Sequence, residues 1–206
     1  MRTKIQAIAD RLLLLYAIAK GNEAGDVDGT FKLMKIPFCA ELYSTRARVN
    51  TFNYSFFRYT YGPFTTEIYE DADALCRLGL STAKDAHPRV TDKGTRVLNS
   101  AKKLFEKNRK AVSFVEKASA ECASLSFSSL KRKVYREVVM VNGSRHTIEN
   151  APKGYEVLSA ISDPVAFFHI DDDWVDTLWK DFNYTDEEIA GLHRTRPLSV
   201  LQAVAQ

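Results

Sequence analysis

An aspartate-rich segment in the last quarter of the chain is the first place where residue types suggest chemistry. Asp171, Asp172, Asp173 and Asp176 follow His169, a set that suggests a metal site or an acid/base pair. A hard cation needs several oxygens converging at about 2.0–2.6 Å, whereas consecutive helical residues point roughly 100° apart. These aspartates are explained more simply as charges that stabilise a helix N-terminus. We therefore predict no metal ion here.

The remaining reactive residues do not form a catalytic pattern. The four histidines show no ligand spacing, and the sequence contains no GxSxG, Walker-type or HExxH motif. Cys39, Cys76 and Cys122 are widely spaced among apolar neighbours, which predicts buried thiols in a reducing cytosol. We predict a protein that is not an enzyme and that needs no cofactor.

Composition favours a folded cytoplasmic protein with an uneven charge distribution. The 206 residues are 45% hydrophobic, enough to fill a core, and the apolar run 5–19 is too short and too interrupted to span a bilayer. Residues 101–148 contain eleven Lys/Arg and four Asp/Glu, whereas residues 149–206 contain four and eleven. The two segments either pack on each other, or form a nucleic-acid face beside an acidic partner-binding tail.

Apolar periodicity organises the chain into helices separated by short extended segments. It predicts a helix over 2–20, a second helix in which Pro37 imposes a kink or a boundary, and an aromatic extended segment over 49–62. A third helix follows Gly62-Pro63 and ends at Gly79. A long helix is predicted from Thr91 to beyond Val115.

The part of the chain after residue 120 is predicted to mix helix and strand. Ser126 or Ser128 begins a helix through "SLKRKVYREV", and Asn142-Gly143 lies between two alternating segments, which strongly indicates a β-hairpin. The small, polar residues 119–127 predict a seam. The expected domains are therefore residues 1–120 and a helical/α+β C-terminal extension over residues 121–206.

The order of elements up to residue 100 is that of a winged helix-turn-helix. The ending "RLGLSTAKDAHPRVTDKGTRVL" has a helix end, two short strand segments around a polar tip, and a further helix. It resembles the corresponding ending of winged-helix regulators, including the MarR-like and PadR-like families. The predicted fold class is mainly α with a small β-wing, followed by the C-terminal extension.

Residues 5–105 also resemble a narrower group, the Panacea (SocA-like) antitoxin domain and its winged-helix relatives. The resemblance rests on "KLMKIPFCAEL", "FNYSFFRYTYGP" and "YGPFTTEIYEDADAL". Lys32 and Leu33 match a Lys-Leu pair, Tyr61-Gly62-Pro63 matches a Tyr-Gly-Pro turn, and Tyr69 matches a helix tyrosine. The resemblance implies a small regulatory protein that binds DNA or neutralises a toxin-like partner protein.

Basic side chains support the first hypothesis, a DNA-binding transcriptional regulator that is expected to be a homodimer. Cations neutralise duplex phosphates, and they occur in the predicted wing and in the helix after residue 128. The expected nucleic-acid-binding residues are Lys84, Arg89, Lys93, Lys131, Arg132, Lys133 and Arg136. The helix cluster is equally consistent with an acidic partner, RNA, a solvated face, or a dock for residues 171–188.

The helix over 65–78 favours the second hypothesis, an antitoxin-type module that binds a partner protein. Four acids and one arginine are expected on its outer face, a poor surface for phosphates. These residues are Glu67, Glu70, Asp71, Asp73 and Arg77. The expected partner-binding residues are Tyr61, Phe64, Glu67, Tyr69 and Glu70, with the alternative that the Tyr-Gly-Pro turn is only a structural corner.

Overall fold

Residues 2–27, 29–82, 87–171 and 174 are the part of the chain that the computed structural model describes. They form a mixed α/β structure in which helices predominate and the sheets are small, which confirms the mainly helical prediction. The helices are α1 (Lys4–Ala24), α2 (Gly29–Arg46), α3 (Glu67–Arg77), α4 (Asp92–Ser100), α5 (Lys102–Lys107), α6 (Arg109–Ser124) and α7 (Phe127–Arg136). The strands are β1 (Val49–Asn50), β2 (Phe56–Tyr59), β3 (Gly62–Phe64), β4 (Ser81–Thr82), β5 (Arg89–Val90), β6 (Val138–Val141), β7 (Ser144–Thr147), β8 (Glu156–Leu158) and β9 (Ala166–Phe167).

Helices α1, α2 and α6 supply nearly half of the buried apolar residues. Helix α1 begins with a capping box, in which Thr3 Oγ1 accepts from the Gln6 amide at 3.2 Å and Gln6 Oε1 accepts from the Thr3 amide at 2.8 Å. All four leucines of the run 12–15 are buried. A helix with so little exposed surface must be covered from several sides, and α6 packs against both α1 and α2.

Helix α2 runs through Pro37 without ending there. The proline lies inside the helix and is buried together with its neighbours Ile36 and Phe38. A proline inside a helix removes one main-chain hydrogen bond, and its ring clashes with the carbonyl of the preceding turn. Burial of the apolar side chains around Pro37 offsets this cost. A helix boundary at Pro37 is therefore not observed.

The long helix predicted from Thr91 is divided into α4, α5 and α6. Its start is confirmed, because Thr91 Oγ1 accepts from the Gly94 amide at 3.1 Å. The continuity prediction is wrong: the helix breaks at Ala101 and at Asn108. At the second break the Asn108 side-chain amide donates to the Leu104 carbonyl at 2.9 Å, and such local side-chain bonds compete with helix continuation.

The strands form four small sheets, of which the largest has the order β3-β2-β8. Strand β2 pairs antiparallel with β3 and, on its other edge, with β8, so that Phe57 is opposite Phe64 and Glu156. Strand β1 pairs parallel with β9. Strands β4 and β5 pair antiparallel, as the segments "LSTA" and "PRVT" on either side of "KDAH" predict.

The Asn142-Gly143 hairpin is confirmed as the connection between β6 and β7. Both residues have positive φ, 49° and 78°, and Val141 pairs with Ser144 across a two-residue loop. A type I′ turn needs this backbone conformation, which Asn and Gly adopt most readily. The cap of the preceding helix is also confirmed, since Ser126 Oγ accepts from the Ser129 amide at 3.3 Å.

Residues after 120 take part in the same packing as the residues before it. Strand β8 completes the sheet of β2 and β3, β9 pairs with β1, and α7 contacts α2. The seam predicted over 119–127 coincides with the end of α6 and the start of α7. Residues 172–206, the rest of the predicted C-terminal extension, lie outside the described part of the chain except for Trp174.

A buried ion cluster joins α1 to α3. The Arg2 guanidinium donates to Asp10 at 2.8 Å and to Asp71 at 2.7 Å, and Arg11 Nε donates to the other Asp71 oxygen at 2.8 Å. The Tyr54 hydroxyl also donates to Asp71, at 2.9 Å. Asp10 and Asp71 are fully buried, so these donors supply the hydrogen bonds that water would otherwise provide.

Two further buried ionisable side chains fix the ends of α2. Lys32 Nζ donates to the carbonyls of Asp26 and Ala123 at 3.0 Å each, which joins the start of α2 to the end of α6. The Glu41 carboxylate accepts from the amides of Thr51 (3.1 Å) and Phe52 (2.7 Å). Burial raises the pKa of Glu41 to about 8.

We expect Asp71→Asn to destabilise the fold by about 3–5 kcal/mol, because it removes the charge that two arginines share in a buried site. Urea denaturation followed by circular dichroism measures the change. Asp73→Asn is the matched control on the same helix: Asp73 pairs with Arg77 at 2.7 Å on the surface, and its loss should cost less than about 1 kcal/mol. Equal effects of the two substitutions would contradict the structural role of the cluster.

Candidate functional site

The Tyr-Gly-Pro turn is the tip of the β2–β3 hairpin. Thr60 and Tyr61 form its two-residue loop, because Tyr59 pairs directly with Gly62. Gly62 has φ of 95°, a conformation that side-chain-bearing residues rarely adopt. The turn leaves Tyr59 and Tyr61 59% and 54% exposed.

Aromatic rings extend from this turn onto α3. The ring of Tyr59 lies 5.4 Å from that of Phe64, which in turn lies 5.7 Å from that of Tyr69, measured between centroids. Phe57 alternates with buried residues along β2 and is exposed beside them. We call Phe57, Tyr59, Tyr61, Phe64 and Tyr69 the aromatic surface.

Lys35 and Tyr135 hold the hairpin tip from beneath. Lys35 Nζ, on buried α2, donates to the Pro63 carbonyl at 2.5 Å, and the Tyr135 hydroxyl, on α7, donates to the Thr60 carbonyl at 3.1 Å. Burial lowers the pKa of Lys35 to about 7. Since a neutral amine still donates hydrogen bonds, the contact with Pro63 does not require the charge.

The outer face of α3 is less acidic than the sequence predicts. Asp71 is buried, and Glu67 turns towards the N-terminus, where its carboxylate accepts from Arg2 Nε at 2.8 Å. The prediction that Asp71 is exposed is wrong, because its carboxylate is paired with Arg2 and Arg11 inside the protein, whereas Glu67 is half-buried. Glu70 is exposed beside Tyr69.

The structure brings together only some of the expected partner-binding residues. Phe64 and Tyr69 are in ring contact and Tyr61 lies at the adjacent hairpin tip, whereas Glu67 is engaged by Arg2. Phe57 and Tyr59 belong to the aromatic segment 54–64 that the sequence favours as a partner surface, but they are not among the expected partner-binding residues, and neither are Lys35 and Tyr135. The signal for Phe57 and Tyr59 was the period-two alternation of "FFRY", which exposes every second ring.

The wing residues expected to bind nucleic acid make contacts within the chain. Arg89 pairs with Asp26 at 3.1 Å and donates to Asn22 at 2.8 Å. Lys93 Nζ donates to the Leu78 carbonyl at 3.0 Å, near the end of α3. Lys84 lies outside the described residues.

The cations of α7 divide into engaged and exposed side chains. Lys133 pairs with Glu121, and Lys131 Nζ lies 5.5 Å from the centre of the Tyr135 ring. Arg132 and Arg136 are exposed, one helical turn apart on the same face. Among the expected nucleic-acid-binding residues that the structure describes, these two present the most accessible charge.

The aspartate-rich segment is described only at its start. Asp171 accepts from Lys107 Nζ at 2.5 Å, and this ammonium group lowers the pKa of the Asp171 carboxyl. Asp172, Asp173 and Asp176 lie outside the described residues. Within residues 2–27, 29–82, 87–171 and 174, no three His, Cys, Asp or Glu side chains are placed to hold a metal ion. No helix in this part of the chain is long and apolar enough to cross a membrane.

Comparisons with known proteins add no relative to this description. No family model matches the chain, and no curated protein or solved structure matches it significantly.

We expect Lys35→Met to remove a pH-dependent part of the stability. Because the pKa of Lys35 falls from 10.5 to about 7 on folding, the unfolded chain binds one more proton between these values. Stability from this group therefore rises as pH increases, by up to about 1.4 kcal/mol per pH unit. The raised pKa of Glu41, about 8, acts in the opposite direction below pH 8, so the variant is compared with the wild type: in urea denaturation at pH 7, 8 and 9, stability should increase less, or fall more, with pH in Lys35→Met than in the wild type.

Lys20→Met is the control for that experiment, because the Lys20 ammonium pairs with Glu23 at the surface, at 2.7 Å. Its stability should follow the pH dependence of the wild type. If Lys35→Met also follows the wild type, Lys35 is not the buried base that the geometry describes.

Proposed function

We propose that the chain is a non-enzymatic interaction module of antitoxin type that captures a partner protein on its aromatic surface. The observation that carries the proposal is the exposure of neighbouring large rings, with Tyr59 and Tyr61 each more than half exposed. Tyrosines are enriched among the residues that dominate binding energy at protein interfaces. A contiguous exposed apolar patch on a soluble protein commonly marks such an interface.

The way in which the hairpin is held supports this proposal. Lys35 and Tyr135 bond to carbonyls on either side of Tyr61 and Gly62, so the backbone of the tip is fixed before any partner arrives. Binding by a preorganised surface costs less conformational entropy than binding by a mobile loop. The aromatic surface is therefore suited to tight binding.

Polar groups around the rings can form hydrogen bonds that orient a partner on the surface. Tyr59 and Tyr61 each carry a hydroxyl beside an apolar ring, and Glu70 is exposed next to Tyr69. Tyrosine can thus fill an apolar pocket and hydrogen-bond at its edge. The matching partner surface presents apolar pockets rimmed by hydrogen-bond donors, with a basic group for Glu70.

We expect the double variant Tyr59→Ser/Tyr61→Ser to lose the partner while remaining folded. Loss of two interface tyrosines should weaken binding by at least about thirty-fold, corresponding to about 2 kcal/mol. The measurement is quantitative mass spectrometry of proteins that co-purify with the tagged full chain expressed in its native host. A stoichiometric partner should be retained by the wild type and lost from the variant.

Tyr155→Ser is the matched control, since Tyr155 is 47% exposed just before β8 and lies outside the aromatic surface. It should retain the partner. The partner expressed alone should arrest growth, and co-expression of the wild-type chain should restore it. Absence of a stoichiometric partner, or its equal retention by all three proteins, would refute the proposal.

A second candidate function is a winged-helix DNA-binding regulator. The order α3, β4, β5 and α4 supports a winged helix, because a short antiparallel pair follows a helix and leads into the next one. Exposed Arg132 and Arg136 favour contact with phosphates. The two functions are compatible, since antitoxins often repress their own operons.

Under this second function, Arg132→Glu/Arg136→Glu should abolish retention of the chain on immobilised duplex DNA. The wild type should be retained at low salt and elute progressively as salt rises, because binding releases counterions. Lys102→Glu/Lys103→Glu makes the same charge change at exposed positions of α5 and should remain retained. Passage of the wild type through the column at low salt would exclude the DNA-binding function.

A further inference from the structure

Helix α7 begins with an exposed aromatic ring. Phe127 is the first residue of the helix and is 54% exposed. Its ring lies 4.5 Å from the ring of Phe31 on α2, measured between centroids. Because Ser126 Oγ caps the helix at the Ser129 amide, the backbone that carries Phe127 is fixed. Phe127 is therefore exposed on a rigid element, as the rings of the hairpin tip are.

One flank of α7 runs from this ring to the hairpin tip. Phe127, Lys131 and Tyr135 are spaced four residues apart and so lie on the same flank of the helix. Lys131 Nζ lies 5.5 Å from the centre of the Tyr135 ring, and the Tyr135 hydroxyl donates to the Thr60 carbonyl. The flank therefore ends at the hairpin that carries Tyr61.

The first turn of α2 also links Phe127 to the aromatic surface. Phe31 packs against Phe127, and the side chain of the neighbouring Thr30 hydrogen-bonds to that of Tyr69. Tyr69 belongs to the aromatic surface. The exposed ring of α7 is thus a neighbour of that surface through both α2 and the hairpin tip.

Helix α7 is cationic and has no carboxylate of its own. Its sequence, FSSLKRKVYR, contains four Lys/Arg and no Asp/Glu. Two acidic neighbours are engaged elsewhere, because Glu121 pairs with Lys133 and Glu137 pairs with Arg46. Exposed Arg132 therefore contributes to an excess of positive charge, which favours carboxylates in whatever covers the helix.

A large exposed ring among these cations favours a protein partner over duplex DNA on this flank. The affinity of a duplex rests on neutralisation of its phosphates by Lys and Arg, and an apolar ring adds little to such contacts. Protein interfaces, in contrast, combine aromatic anchors with a polar rim. Phe127 supplies the anchor, and Lys131 and Arg132 supply the rim.

We propose that Phe127, Lys131 and Arg132, which we call the α7 site, bind an amphipathic, acidic helix of the partner protein. That helix places an aliphatic stripe against Phe127 and carboxylates beside Lys131 and Arg132. The eight residues from Phe127 to Tyr135 span roughly 12 Å at about 1.5 Å per residue, which a partner helix of about two to three turns can cover. A second helix suits this flank, because side-chain ridges of one helix pack into the grooves of another.

This inference rests on the proposed capture of a partner protein, and it adds a second contact for that partner. The α7 site lies next to the aromatic surface, so that one partner can cover both. The partner would then present a basic group to Glu70 and acidic groups to Lys131 and Arg132. This opposite polarity would fix the direction in which the partner lies.

The experiment uses a displayed library of three-turn helical peptides with randomised surface positions, selected on the full-length chain. The enriched peptides, synthesised with a fluorescent label, should carry aliphatic side chains three and four residues apart, with Asp or Glu beside them. A proline in the middle of an enriched peptide should weaken binding at least about ten-fold, because it breaks the helix.

Variants of the chain then locate the site. Phe127→Asp should weaken peptide binding at least about ten-fold, whereas Val165→Asp, which places the same group at a 60% exposed valine, should not. Arg132→Glu should weaken binding, and a peptide with Lys in place of its acids should restore it. Tyr59→Ser/Tyr61→Ser should leave peptide binding unchanged, which separates the α7 site from the aromatic surface.

Three results would overturn the inference: no enriched helical peptide, no effect of the central proline, or equal binding by Phe127→Asp and Val165→Asp. Duplex DNA is the alternative occupant. Retention on immobilised duplex DNA that is lost in Arg132→Glu/Arg136→Glu but kept in Phe127→Asp, with no enriched peptide, would assign this flank to phosphates and would also overturn the inference.

The same experiments separate the α7 site from the proposed function. If the α7 site fails these tests while Tyr59→Ser/Tyr61→Ser still loses the captured protein, the proposed function stands without the α7 site. If peptides bind as expected and no partner protein is captured, the α7 site remains a helix-binding site and the proposed function fails.

Discussion

The shared carboxylate of Asp71 is the interaction on which the arrangement of the helices depends. It accepts from Arg2, Arg11 and the Tyr54 hydroxyl, and so connects the chain start, the body of α1, the aromatic segment and α3. Charges in such a site stabilise a fold only when every partner is in place, because each unpaired charge would carry its full desolvation cost. The cluster therefore selects one rotation of α3 about its axis. That rotation brings Tyr69 against Phe64 and leaves Glu70 outside.

A second constraint acts on the other side of the sheet, where buried polar groups fix the backbone of the hairpin. Lys35 is buried, and burial lowers the pKa of its amine to about 7. The Lys35 amine donates a hydrogen bond to the Pro63 carbonyl, a buried main-chain acceptor that needs a partner. The aromatic rings outside the turn are thus exposed on a framework that is itself buried and bonded. Exposure and rigidity at the same residues are the properties expected of a binding surface.

The sequence predicted those features that depend on a few neighbouring residues. The caps at Thr91 and Ser126, the left-handed Gly79 and the Asn142-Gly143 turn are local, and the structure contains each of them. The helix boundary considered at Pro37 is absent, because tertiary burial outweighs the low helix propensity of proline. The breaks in the long helix were missed because apolar periodicity continues across them.

The candidate site was only partly predictable, because the sequence does not distinguish a buried charge from an exposed one. Asp71 lies three residues after Ile68 and four before Leu75, both buried, and that spacing was the available signal for an inward carboxylate. Lys35 lies three residues before Phe38 and four before Cys39, both buried, which gave a similar signal. No local pattern contained the identity of the hydrogen-bond partners, since Arg2, which donates to Asp71, and Pro63, which accepts from Lys35, are distant in sequence from these residues. Tyr61 was identified more easily, because the Tyr-Gly-Pro turn that exposes it is local in the sequence.

The order in which the sheet is assembled has a consequence for biosynthesis. Strands β2 and β3 are adjacent in the chain, but β8 and the Tyr135 contact come from residues synthesised much later. Contacts between distant segments form slowly, and a ribosome adds roughly 5–20 residues per second. For several seconds the nascent chain therefore carries the exposed rings of the hairpin and an unpaired edge of β2 together. In this interval the chain is most prone to aggregation, and a partner or chaperone that covers the rings during translation would protect it.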